Sequence, residues 1–216
     1  MNQTDLDLYG EVMARIKCRI VAINDVLRGK ISTTYRRTDV EFVYLQFRLV
    51  FELVAMASLC SNRPQYQEIR SSFEKDWRLA KIVRTIKASN PNFYPKPFEL
   101  VGPQNGIVTM TPLAKEYMTE SELVKAHGRC GGWLHESNPY KKIEDWDDKY
   151  TMMQFEEWMS KLAALLENHR VQLFGTEELL IVTMNTAPDV PDGKVGVRLC
   201  ETIDPPHFHD IGNEDP

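Results

Sequence analysis

Cysteine is scarce in this chain, and the four present, Cys18, Cys60, Cys130 and Cys200, include no C-x-x-C pair. Their wide spacing argues against a zinc ribbon or a redox dithiol and fits free thiols of a reducing compartment. Long apolar runs are missing as well. The longest, Phe42 to Cys60, is interrupted by Gln46, Arg48 and Glu52, so no membrane span is expected. The opening Met1-Asn2-Gln3-Thr4-Asp5-Leu6-Asp7 is polar and acidic, unlike a secretory leader, and the expected location is cytoplasmic. No P-loop, no G-x-G-x-x-G after a strand, no G-x-S-x-G elbow and no H-E-x-x-H occurs. Nucleotide hydrolase, dehydrogenase, esterase and zinc protease chemistry thus lose their usual signatures, and no cofactor is expected. Internal repeats and low-complexity segments are lacking too.

What remains is an ordinary globular composition, 216 residues with 43% apolar and 26% charged side chains. The length suits one α+β domain over 1–204 followed by a loose tail at 205–216. Charge is unevenly spread. Residues 1–97 carry 16 Lys/Arg against 10 Asp/Glu, whereas residues 98–216 carry 10 against 21. A basic half suits phosphate, while the acidic half and a pI of 5.6 argue against a protein built to coat DNA.

Apolar spacing predicts a mostly helical bundle of about five helices with a small antiparallel sheet, largely from the C-terminal third. Helical core is expected over 5–90 and 119–170, with strands near 98–111 and 171–203. Tyr9, Val12, Met13, Ile16, Ile20, Ile23 and Leu27 make one stripe on a first helix that Gly29 ends. Asp39 is placed as the cap of a second helix running to about Ser61, apolar nearly all round and therefore central. A third helix is expected from Pro64 to Ala88 with Phe73, Trp77, Ala80 and Val83 inward. Its Lys75, Arg78, Lys81, Arg84 and Lys87, three apart, wind around the cylinder instead of forming one patch. Phe98–Val101 and Ile107–Thr111 flank a Gly-Pro turn as a hairpin. Thr119 and Glu122 form a capping-box signature for a fourth helix that Asn138-Pro139 should stop. A fifth is expected from Lys149 to His169, and extended segments follow.

The most informative stretch is Arg129-Cys-Gly-Gly-Trp-Leu-His135, followed by Glu136-Ser137-Asn138. An arginine supplies a permanent cation with a planar fork for phosphate, and a histidine is the side chain suited to moving protons. Gly131-Gly132 costs roughly 2 kcal/mol of helix propensity against two alanines, so a close neighbour of some kind is expected there. On a straight helix, residues six apart lie about 120° apart around the axis, so Arg129 and His135 diverge unless the helix is distorted or the site is shared. A structural His135 at a helix end is the competing reading.

This arrangement resembles the HEPN superfamily, whose ribonuclease members carry an Arg-x4–6-His motif on a late helix of a small bundle. The resemblance covers roughly 5–90 and 119–170. It implies metal-independent RNA cleavage by a homodimer, of the kind found in stress or phage-defence systems. Arg129 would stabilise the charged transition state, His135 would transfer a proton, and Asn138 would bind the phosphate or orient the imidazole. The segment Leu134 to Tyr140 is also similar to uncharacterised bacterial proteins. The alternative is a non-catalytic interaction module that offers its acidic half to a protein partner.

Two further groups stand out. Glu41, Arg48 and Glu52 share a stripe of the buried second helix, where charges must pair or face a cleft. Arg48 and Glu52 are read either as an internal pair or as a binding-pocket wall beside the motif helix. His207-Phe208-His209-Asp210 near the end has ligand-type side chains but no rigid frame, so no metal is expected.

Overall fold

The computed structural model describes residues 3–60, 78–104, 107–135, 148–172, 178–185 and 195–201. The expected α+β architecture is what forms: five α-helices among the described residues and a five-stranded antiparallel sheet. No described helix is long and apolar enough to cross a membrane.

Helix α1 (Gln3–Leu27) buries the predicted stripe, with Tyr9, Met13, Ile16 and Ile23 fully inaccessible. Gly29 stops it in the left-handed region at φ 68°, where its N–H bonds to the Val26 carbonyl and that of Lys30 to Asp25. Helix α2 (Arg36–Ala57) packs on α1 and on the motif helix, and its Phe47, Val50 and Val54 are at most 1% exposed. Asp39 does not precede this helix as a cap. It lies inside the first turn and reaches back, accepting from the Thr33 backbone N–H (2.6 Å) and the Ser32 and Thr33 hydroxyls. Those bonds, the Thr33 N–H first, hold its carboxyl below the usual range. The helix starts earlier than expected because the acid serves the loop, not the helix end.

Helix α3 (Leu79–Ser89) starts after Arg78, whose backbone is extended (φ -70°, ψ 110°), so the single helix expected from Pro64 to Ala88 does not run through that residue. Its inward face is Leu79, Ile82, Val83 and Ile86, while Ala80 points outward. The larger aliphatic side chains win the core because they remove more apolar area from water. Phe73 and Trp77 fall outside the described residues. Helix α4 (Glu120–Trp133) opens with the predicted capping box: Thr119 accepts from the Glu122 N–H, and Glu122 accepts from that of Thr119. Helix α5 (Asp148–Leu166) ends before His169, which belongs to a strand.

The strands are β1 (Lys96–Gln104), β2 (Ile107–Pro112), β3 (Asn168–Gln172), β4 (Glu178–Thr183) and β5 (Gly196–Glu201), in the order β2-β1-β3-β4-β5. Two of the five therefore come from the middle of the chain. The β1–β2 hairpin pairs Phe98 with Pro112, and among the described residues β1 joins the rest of the sheet through Lys96↔Arg170 and Pro97↔His169. One apolar core runs through helices and sheet alike. Its centre is an aromatic group in which Tyr44 stacks on Trp133 at 4.9 Å and meets Phe155 edge-on at 4.8 Å. This contact pins the C-terminal end of α4 against α2 and α5, which fixes the surroundings of the motif.

Candidate functional site

Helix α4 carries the site, and its two sides meet different neighbours. At about 100° per residue, His127 and Arg129 lie ~160° apart around the axis. Leu123, Ala126, His127 and Cys130 are buried, and Lys125, Gly128, Arg129 and Gly132 are exposed.

On the α5 side, Lys125 and Arg129 look across a groove of about 310 Å³ at Tyr150, Gln154, Trp158 and Lys161, and Glu122 and Glu157 line it too. The Arg129 guanidinium sits 5.9 Å from the Tyr150 ring centroid and donates to the phenol oxygen at 3.3 Å. That is a stacking contact with one long hydrogen bond, and it leaves the fork mostly unused. Lys161 differs. It bonds Glu122 at 2.7 Å and Glu157 at 3.0 Å, and these two hydrogen bonds raise its pKa. Lys125 and Arg129 have no carboxylate partner among the described residues.

On the α2 side, Arg48 and Glu52 form the internal ion pair, Nε to Oε1 at 3.2 Å. His127 joins them, its Nε2 donating to the same carboxylate oxygen at 2.9 Å. The pair thus faces the motif helix, and neither residue lines the groove between α4 and α5. Glu41 takes no part, being bonded to Arg37 one turn earlier. The His127 hydrogen bond, ahead of those from Arg48, holds the Glu52 carboxyl below its usual range despite partial burial. Gly131 makes room for this arrangement, since a Cβ there would stand 3.3 Å from the Arg48 Nη1. Cys130 lies beside the cluster, but burial pushes its thiol up to about 12, far from a nucleophilic thiolate.

The motif is split by the helix end. Trp133 closes α4, and Leu134 caps it with a bond from its N–H to the Gly131 carbonyl. His135 therefore stands exposed beyond the helix, not on it, and is not among the groove-lining residues. The expected stop at Asn138-Pro139 comes too late by several residues. The Gly-Gly pair has little helical drive, and the Trp133–Tyr44 stack anchors the chain where the helix leaves. Asn138 and the His207–Asp210 segment lie outside the described residues.

Sequence reasoning missed His127, Lys125 and Tyr150. His127 had a signal, because Glu52 on a buried face demanded partners and the motif helix was expected nearby. Tyr150 had none, since nothing local places it against a side chain 21 positions earlier. A second buried histidine, His169, does not line the groove between α4 and α5. It donates from Nδ1 to the Leu166 carbonyl (2.9 Å) and accepts from the Tyr9 hydroxyl (3.0 Å), and burial lowers its pKa to about 4. Comparison with family models, curated proteins and solved structures finds no match for this chain.

Proposed function

We propose that this protein binds RNA in the groove between α4 and α5 and cleaves it without a metal, as a HEPN-like ribonuclease. The observation that carries the reading is Arg129, exposed at the groove rim and without a carboxylate partner among the described residues. Lys125 shares that state, whereas other cations nearby are engaged: Arg36 with Asp148, Lys87 with Glu120, Lys161 with Glu122 and Glu157. An exposed guanidinium over an aromatic ring suits a phosphodiester beside a stacked base.

In this reading Arg129 grips the scissile phosphate and balances the charge of the phosphorane-like transition state. His135 takes the 2′-hydroxyl proton or protonates the leaving oxygen. Because His135 lies past the helix end and away from the groove, the two residues would meet across a two-fold axis. The working unit is then a homodimer, each chain lending its motif to a shared site.

The test is incubation of the purified protein with single-stranded and structured RNA in EDTA. Cleavage is expected for the wild type, with loss of cleavage and no loss of fold in His135→Ala and Arg129→Ala. Arg129→Lys should restore only part, since an ammonium lacks the planar fork. Intact RNA with the wild type, or equal cleavage by His135→Ala, would reject catalysis and leave the non-catalytic interaction module.

A further inference from the structure

Two arginines flank the outward face of α4, and that face carries no side chain at two positions. Taking the buried Cys130 as the inward direction, Gly132 lies ~160° away and Gly128 ~160° away on the other hand, so both point outward. Among the described residues, nothing stands within 4 Å of where a Cβ would be at either glycine. Arg129 and Lys125 border this bare strip on the α5 side. Arg48 borders it on the α2 side, its guanidinium against Gly131.

Arg48 is aimed, not merely present. Its Nε is committed to Glu52, and the same carboxylate is anchored by His127 from α4 itself. That arrangement fixes the plane of the guanidinium. Its terminal nitrogens have no hydrogen-bond partner among the described residues, and the side chain is 32% exposed. A guanidinium oriented through Nε presents its outer edge as a two-pronged donor, the geometry that matches phosphate oxygens. Glycine is the residue that lets a ligand backbone approach a helix closely.

We propose that a single strand of RNA crosses α4 over Gly128 and Gly132, its phosphates held by Arg129 and Lys125 on one side and Arg48 on the other. The proposal rests on RNA being the ligand of the α4 groove and adds a second phosphate contact and a path between the two. A single strand is favoured because the track is one helix wide, about 10–12 Å.

The experiment is fluorescence anisotropy with a labelled 2′-fluoro oligouridylate of about twelve nucleotides, which cannot be cut through its 2′ position. Wild type, Arg48→Gln, Gly128→Leu and Gly132→Leu are compared, with a duplex of equal length as competitor. Each variant should weaken binding by ~10-fold or more, and Arg48→Gln should also flatten the salt dependence by about 0.7 in the log–log slope. The leucine variants should melt no lower than wild type, because the added side chains enter open space.

Binding by all three variants at wild-type strength overturns the path, as does a duplex that competes equally or a wild type that does not bind. Outcomes for the two readings separate cleanly. Variant-sensitive binding without cleavage of an unmodified strand rejects the ribonuclease and keeps the path. Cleavage that survives Arg48→Gln and Gly128→Leu keeps the ribonuclease and rejects the path.

Discussion

Two buried histidines, His169 and His127, show how differently one side chain can be used in one molecule. His169 is fully inaccessible and satisfied by neutral groups, the Leu166 carbonyl and the Tyr9 hydroxyl. It ties α1 to the junction of α5 and β3, and it works as a neutral imidazole. His127 is nearly as buried but bonds an ionised carboxylate that also holds an arginine. Burying charges at a helix–helix contact rarely helps stability more than a hydrophobic pair of the same size would. The His169 cluster is explained by the fold alone. The His127 cluster makes better sense as a device that aims Arg48 across the bare face of α4.

Acid should break the contrast with the largest effect. His169 titrates near 4 when folded and near 6.5 when unfolded, so below pH 6.5 the unfolded chain binds the extra proton. Stability is complete above about 6.5, falls as the pH drops, and has lost on the order of 3 kcal/mol once the pH passes the folded value. Urea titrations across that window should show the loss, and His169→Phe should abolish its pH dependence. An unchanged midpoint between pH 6.5 and 4 would contradict the neutral, buried assignment. Glu52 acts in the same direction but starts later: its lowered carboxyl contributes fully above its ordinary value and loses that contribution as the pH falls below it.

Replacing one member of each cluster sharpens the difference. Tyr9→Phe leaves the His169 Nε2 buried without a donor, at a cost of about 1–3 kcal/mol. Glu52→Gln should cost a comparable ~1–3 kcal/mol, since Arg48 and His127 both lose their anion but keep some solvent access. The two variants should part company in binding: RNA affinity falls with Glu52→Gln and is unchanged in Tyr9→Phe at a pH where both are folded. Equal affinities would remove the functional distinction.

The glycines of α4 give the smallest effects and the finest test. Gly128→Ala should stabilise by about 0.5–1 kcal/mol, and Gly132→Ala, one residue from the helix end, by about 0.5 kcal/mol. Gly131→Ala should gain less than either, because its Cβ must displace the Arg48 guanidinium by a few tenths of an ångström. Thermal melts of the three single variants would rank them, and Gly131→Ala emerging as the most stabilising would contradict the Arg48 placement.

Much of the frame was readable in the chain. The α1 stripe, the capping box at Thr119 and Glu122, the pairing of β1 with β2 and the buried α2 all follow from local rules, although β1 runs on through Gly102-Pro103, where the turn was expected. Spacing, turn chemistry and side-chain volume act over a few residues, so they need no knowledge of the fold. The need of Glu52 for partners was legible for the same reason, whereas the start of β3 was not: His169 was expected to end a helix and lies in the strand. Which partners answered was decided only in three dimensions. His127 reaches Glu52 because α4 packs on α2, and Tyr150 meets Arg129 because α5 returns alongside. The early end of α4 had the same origin, since a stack between Trp133 and Tyr44, 89 positions apart, outweighed a proline signal further on. Contacts across such separations depend on how whole elements pack, and residue spacing along the chain carries no record of that.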